Sequence, residues 1–231
     1  MSHTDHTDSC AAIIVAAGNS RRLGHDKLAW TLNGVTVLRR SINAFLEAQS
    51  IQSIVVVCPL DRWNQIEREN FTKPVIRVDG GKERQDSVAA GLAALPANTQ
   101  FVAVHDGARP LVSPDDINRC VETARKFGAA ALARRATETM KRSDDNDFNI
   151  APIDRQNLWC METPQVFQTS LLCEASKAAS RDGLSATDEV SAVEQLGTPV
   201  KFVESSRPNL KITTPGDLAL AEAMAKIQTT A

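Results

Sequence analysis

The 231-residue chain has no apolar run long enough to cross a bilayer, so no membrane span is expected. It also lacks a dominant charge. Its 26 Lys and Arg against 28 Asp and Glu leave a formal net charge of -2, which gives no general case for nucleic acid or for a membrane surface. Any basic site must therefore be local. Cysteine is scarce and unpatterned: Cys10, Cys58, Cys120, Cys160 and Cys173 are odd in number and form no Cys-x-x-Cys, as expected of reduced, mostly buried thiols in a cytoplasmic protein. Two nucleotide fingerprints are missing, the Gly-Lys-Ser/Thr of a Walker loop and the Gly-x-Gly-x-x-Gly of a dinucleotide fold, and a dehydrogenase loses its support with the second. No Ser-His-Asp or Cys-His pairing is suggested, and there is no internal repeat. The polar segment 1–9 reads as a flexible tail rather than a secretion signal, with His3 and His6 as solvated side chains.

What is present alternates. The run Ala11-Ala12-Ile13-Ile14-Val15 reads as a buried first strand, and Ser53-Ile54-Val55-Val56-Val57-Cys58 is a β-branched run of the kind that parallel strands covered on both faces require. Helices are expected at 37–49, with Leu38, Ile42, Phe45 and Leu46 on one face, and at 61–70, 83–95, 168–180 and 187–196. Further strands are expected at 74–78, 101–104, 129–132 and 199–203. Ser113-Pro114-Asp115-Asp116 is a helix start: a hydroxyl cap, Pro at the first helical position, then acids at the positive end of the dipole. Thr214-Pro215-Gly216-Asp217 starts a last helix in the same way. The pattern implies one α/β domain over 10–231, a mostly parallel twisted sheet flanked by helices, with ligands at the carboxyl ends of the strands. The polar segment 134–156 breaks the alternation and reads as a protruding β-arm.

Four residue clusters fall where strands end. Ala16-Ala17-Gly18, followed by Arg22 and Lys27, is a small-residue turn that lets backbone N–H groups approach an anion, with two cations added. Asp79-Gly80-Gly81 leads through Arg84 to Ser87 at a helix start. His105-Asp106-Gly107-Ala108-Arg109-Pro110 offers a carboxylate suited to Mg²⁺ alongside phosphate oxygens. Asn209-Leu210-Lys211 can return a cation from late in the chain. Attack on the α-phosphorus of a nucleoside triphosphate is catalysed by positioning and fixed positive charge, and Arg22, Lys27, Lys211 and a Mg²⁺ on Asp106 would supply it. Arg109, Lys141, Arg142 and Arg155 could hold a second phosphate. A phosphate nucleophile needs no general base, so His25 and His105 read as structural or peripheral.

These pieces, with Thr139-Met140-Lys141-Arg142, Asp154-Arg155, Thr163-Pro164-Gln165 and Thr187-Asp188-Glu189, resemble the 2-C-methyl-D-erythritol 4-phosphate cytidylyltransferase family along nearly the whole chain. The resemblance implies a Rossmann-like nucleotidyltransferase fold. It also implies transfer of CMP from CTP to the sugar-alcohol phosphate, Mg²⁺ or another divalent cation on Asp106, and a homodimer interlocked through 134–156. It implies that Ala16, Ala17, Gly18, Gly81, Arg84 and Ser87 hold the nucleotide and that Arg22, Lys27 and Lys211 stabilise the pentavalent phosphorus. Asp106, Arg109, Thr139, Arg155 and Thr163 would bind the alcohol phosphate. Ribitol 5-phosphate cytidylyltransferases share the nucleotide half and the arm, and the first loop alone also resembles molybdenum-cofactor nucleotidyltransferases. Two positions depart from the family's pattern: Asp26 stands where Pro is usual, at the end of a tighter loop, and Lys82 stands where Asp is frequent.

Overall fold

The computed structural model describes residues 9–18, 26–66, 71–182 and 188–230. In chain order the elements are β1 (Cys10–Val15), β2 (Thr31–Leu32), β3 (Val35–Thr36), α1 (Val37–Glu47), β4 (Ser53–Val57), α2 (Leu60–Asn64), β5 (Val75–Val78), α3 (Arg84–Ala93) and β6 (Phe101–Asp106). There follow α4 (Pro114–Phe127), β7 (Ala129–Arg135), β8 (Met140–Ser143), β9 (Asn149–Ile153), β10 (Trp159–Gln168), α5 (Thr169–Arg181), α6 (Glu189–Glu194), β11 (Lys201–Glu204) and α7 (Pro215–Thr230).

Seven strands form one sheet in the order β11-β7-β10-β6-β1-β4-β5. The pairs β1–β4, β1–β6, β4–β5 and β7–β11 are parallel, while β10 runs antiparallel between β6 and β7. The expected mostly parallel sheet is therefore present, with one reversed strand in its middle. Alternate residues of each strand feed different cores. Ala12, Ile14, Ile54 and Val56 pack with Leu38, Phe45 and Ile117, whereas Ile13, Val55 and Val57 pack with Val88, Leu172 and Val193. Two apolar faces explain why these strands read as continuous hydrophobic runs.

The helix starts follow the sequence. Ser113 Oγ accepts from the Asp115 and Asp116 amides with Pro114 at the first turn, and Asp217 Oδ2 accepts from the Thr213 and Thr214 amides to cap α7. Two elements were not foreseen. Asn33 and Gly34 turn the small β2–β3 hairpin with φ of 51° and 78°, the left-handed pair that a two-residue hairpin needs. Strand β10 carries buried Glu162, Thr163 and Gln165, so its polarity hid it. The helix expected over 61–70 ends at Asn64, and 67–70 lie outside the described residues. Residues 1–8, and with them most of the expected tail, also lie outside.

Segment 134–156 contains a hairpin: β8 and β9 pair only with each other, and Phe148 and Ile150 on it are exposed. All five cysteines are free thiols, with Cys10, Cys58 and Cys120 buried. No helix among the described residues is long and apolar enough to cross a membrane.

Candidate active site

Strands β1, β5 and β6 run the same way and deliver their following loops to one end of the sheet, the end where open α/β sheets bind ligands. A cleft of about 750 Å³ opens there. It is lined by Ala16, Ala17 and Gly18 after β1, by Gly81, Arg84 and Ser87 around the start of α3, by Asp106 at the end of β6, and by Lys27 and Lys211. The sequence assigned all nine of these to the site. Lys82 and Glu83 also line it, so four basic side chains (Lys27, Lys82, Arg84, Lys211) face two carboxylates (Glu83, Asp106). That excess is local, as the near-neutral whole chain requires. Arg22 and His25 fall outside the described residues.

The loops approach closely because two glycines permit it. A Cβ at Gly80 would collide with Ala17 Cβ and come within 2.8 Å of Ser87 Oγ, and one at Gly81 would strike Asp86. Ser87 itself is buried. Its hydroxyl accepts from the Gly81 amide at 3.2 Å and donates to the Glu83 carbonyl at 3.2 Å, so it braces the loop.

Asp106 is the hub. Lys211 Nζ lies 2.8 Å from Oδ2, Arg84 Nη2 lies 3.2 Å from Oδ1, and Arg109 Nε stands 3.7 Å from Oδ2. Burial alone would raise this carboxyl's pKa, but Arg84, Lys211 and Arg109 outweigh it and hold the group well below the usual carboxylate range. Arg84 also forms a two-pronged pair with buried Glu189, at 2.5 and 2.9 Å. Burial works against its charge, yet Glu189 and Asp106 keep it firmly cationic. Lys27 Nζ donates to the Ile212 carbonyl at 2.7 Å, which ties the first loop to the Lys211 segment across 185 positions of sequence.

Both Asp106 oxygens thus already carry cations. No group of three His, Cys, Asp or Glu suited to a metal occurs among the described residues. A divalent cation would find a single carboxylate, Asp106, at the strand end, and Mg²⁺ sites with one or two carboxylates leave the other positions to phosphate oxygens and water.

The residues assigned to the alcohol phosphate are divided. Arg109 is half-buried beside Asp106, donates to the carbonyls of Asn209 (2.7 Å) and Met161 (3.3 Å), and lines an adjoining hollow of about 360 Å³ that Lys211 shares. Thr163 is buried with its hydroxyl turned inward, accepting from the Asp106 amide at 3.1 Å and bonded to His105 Nδ1 at 2.9 Å. Thr163 therefore positions Asp106 instead of presenting a free hydroxyl to the cleft. Thr139 and Arg155 are exposed on the arm and line neither hollow; Arg155 Nη1 donates to the Thr137 carbonyl.

Sequence reasoning missed Glu189 as the partner of Arg84 and Gln165 as its anchor, while His105, read as structural or peripheral, is structural. Gln165 Oε1 accepts from the Glu189 and Val190 amides at 3.1 Å, which fixes Glu189. The signal lay in the motifs Thr163-Pro164-Gln165 and Thr187-Asp188-Glu189, which carried the resemblance without an assigned contact. His105 is fully buried. Its Nε2 contacts the Arg109 carbonyl at 3.2 Å and its Nδ1 the Thr163 hydroxyl, so one neutral tautomer satisfies both.

Burial pushes the His105 pKa down to about 4. An unfolded His titrates near 6.5, so between those values the unfolded chain binds a proton that the native state refuses. The resulting stability is complete above about pH 6.5 and is expected to fall by up to about 3 kcal/mol as pH drops toward 4. Denaturation of wild type and His105→Gln across that window checks this. The carboxylates titrate in both proteins and cancel in the difference, and equal slopes in the two would contradict it.

A family model described as IspD, 2-C-methyl-D-erythritol 4-phosphate cytidylyltransferase, matches residues 10–226. The enzyme of that name from Pelotomaculum thermopropionicum is 41% identical over 226 residues, covering 95% of each chain. The chloroplastic rice enzyme is 39% identical over 218 residues, 93% of this chain and 73% of its own. Among solved structures, the Anaerococcus prevotii 4-diphosphocytidyl-2C-methyl-D-erythritol synthase superposes with a TM-score of 0.85 at 26% identity, over 95% of this chain and 96% of that one. The Thermus thermophilus cytidylyltransferase gives 0.79 at 33% identity, over 94% and 99%. A charged cleft at the strand ends, built from the residues whose order and spacing suggested it, and matches spanning nearly every described element lead to one conclusion: this chain belongs to the 2-C-methyl-D-erythritol 4-phosphate cytidylyltransferase family.

Proposed function

We propose that the chain transfers the CMP group of CTP to 2-C-methyl-D-erythritol 4-phosphate, giving 4-diphosphocytidyl-2-C-methyl-D-erythritol and pyrophosphate. The observation that carries the reading is the Lys211–Asp106 contact of 2.8 Å in a cleft whose other walls are Ala16–Gly18, Gly81 and Lys27. A phosphate oxygen of the alcohol phosphate forms the new bond to the α-phosphorus, and the bond to the bridging oxygen of the β-phosphate breaks as pyrophosphate leaves. Negative charge then gathers on oxygens that Lys27 and Lys211 face, with Arg22 as a further proposed cation. Positioned cations of this kind are the main catalytic term in such transfers. No general base is required, and His105, with both ring nitrogens engaged, is not one. Asp106 would be the residue to hold a divalent cation here, and such an ion would supply further positive charge toward the phosphates.

The alcohol phosphate takes the side of Asp106 and Arg109, and Thr139 and Arg155 act across a homodimer in which each arm reaches the partner's cleft. The exposed apolar side chains of Phe148 and Ile150, on a hairpin unpaired with the main sheet, support that role. Five free cysteines agree with a cytoplasmic setting. A pyrophosphate-release assay with CTP tests the reading by competing methylerythritol phosphate against ribitol 5-phosphate. Methylerythritol phosphate is expected to win, and a preference for ribitol phosphate, or release with neither, would overturn it.

A further inference from the structure

Arg62 sits outside the cleft, yet it contacts cleft-lining Ala16 and Gly18 on one side and Asp26, the neighbour of Lys27, on the other. It lies on α2, just after β4, and is 7% exposed. Its Nε donates to Asp26 Oδ2 at 2.7 Å. Its Nη1 donates to the Ala16 carbonyl, and Nη2 stands 3.5 Å from the Gly18 carbonyl. The second Asp26 oxygen accepts from the Leu28 amide at 3.1 Å. One guanidinium therefore joins residues 16 and 18, before the loop, to residue 26, immediately before Lys27. We propose that the Asp26–Arg62 pair positions the two flanks of the nucleotide site, Ala16–Gly18 and Lys27, relative to each other. It sets the spacing between the Ala16–Gly18 peptides and the Lys27 ammonium, and so the fit for a triphosphate.

Three physical points support this. In a planar trans peptide the N–H points opposite to the C=O, so a guanidinium on the Ala16 carbonyl turns the Ala17 N–H to the opposite side. A charge-assisted bond to that carbonyl also polarises the peptide and strengthens the N–H as an anion donor. The Asp26 carboxylate, one residue from the phosphate-facing lysine, would repel a triphosphate if it were unpaired. Its pairing with Arg62 removes that repulsion and explains how a carboxylate can end this loop, where the family usually has Pro. The inference rests on the reading that the cleft takes CTP.

The test uses the full chain with Asp26→Asn, Asp26→Glu and Arg62→Lys. It measures the KM of each substrate, CTP affinity by titration calorimetry, and Tm. Asp26→Asn keeps an oxygen that can accept from Arg62 Nε, and Arg62 keeps its contacts with the Ala16 and Gly18 carbonyls, so Tm is expected to stay within a few degrees of wild type. The KM and Kd for CTP are expected to rise about tenfold or more in Asp26→Asn and Arg62→Lys, the change that about 1.4 kcal/mol produces. The KM of the alcohol phosphate should stay within about twofold, and Asp26→Glu should recover part of the CTP affinity. Unchanged CTP affinity in both disruptive variants overturns the proposal, as does an equal rise in both KM values. A wild-type protein that binds no CTP removes the functional reading and this inference with it, whereas failure in the variants alone removes only the inference.

Discussion

Lys27→Ala and Lys211→Ala are each expected to lower kcat for CMP transfer by about 10²–10³-fold at saturating CTP, the usual cost of removing one preorganised charge-stabilising donor. The two ammonium groups come from the two ends of the chain and line one cleft. Lys27 is joined to the Ile212 carbonyl and Lys211 to Asp106, so each is fixed before substrate arrives and needs no reorganisation as charge develops. Loss confined to KM would make these lysines ground-state binding groups. An unchanged rate for either would remove it from the chemistry. Because both act on the same developing charge, the double variant is expected to fall short of the product of the single losses.

Arg84→Ala is expected to cost about 3–5 kcal/mol of stability, because it strips buried Glu189 of its paired cation and Asp106 of one of its three. Asp106 is 8% exposed and Glu189 6% exposed, and the Arg84 guanidinium lies between them. In a chain of this length each kcal/mol moves Tm by roughly 2–4 °C, so a fall of about 6–20 °C should be seen in a thermal melt. Adding Glu189→Gln to Arg84→Ala should return part of the loss, since it removes one uncompensated charge. Equal melting of wild type and Arg84→Ala would show that the bridge is solvated and carries little. The same result would weaken the case that Arg84 presents a fixed cation to the cleft.

Much of the frame was readable from local chemistry. The Ala11–Val15 and Ser53–Val57 runs, the Ser113-Pro114 helix start and the Asp106 strand end all depend on neighbours within a few residues, and each lies where the pattern put it. The Asn33-Gly34 hairpin was equally local and was overlooked. Strand β10 was of another kind: its buried Glu162 and Gln165 are satisfied by Ser205 and Asp188, far along the chain, so polarity there gave no sign of burial. The site divides in the same way. Small residues and cations at strand ends marked the cleft, but Arg84–Glu189 spans 105 positions and Asp26–Arg62 spans 36, and no spacing rule reaches that far. Thr163 had the residue type of a substrate ligand, and only three-dimensional packing reveals that His105 and the Asp106 amide already use its hydroxyl.

The convergence of Lys27 and Lys211 on the α-phosphate of CTP, beside Asp106, is the central claim. A crystal structure with a CTP analogue whose α–β bridging oxygen is a methylene group tests it most directly. The triphosphate should lie on Ala16–Gly18, with α-phosphate oxygens about 2.7–3.2 Å from the Lys27 and Lys211 ammonium groups. An analogue bound with its α-phosphate beyond reach of both lysines would contradict the account.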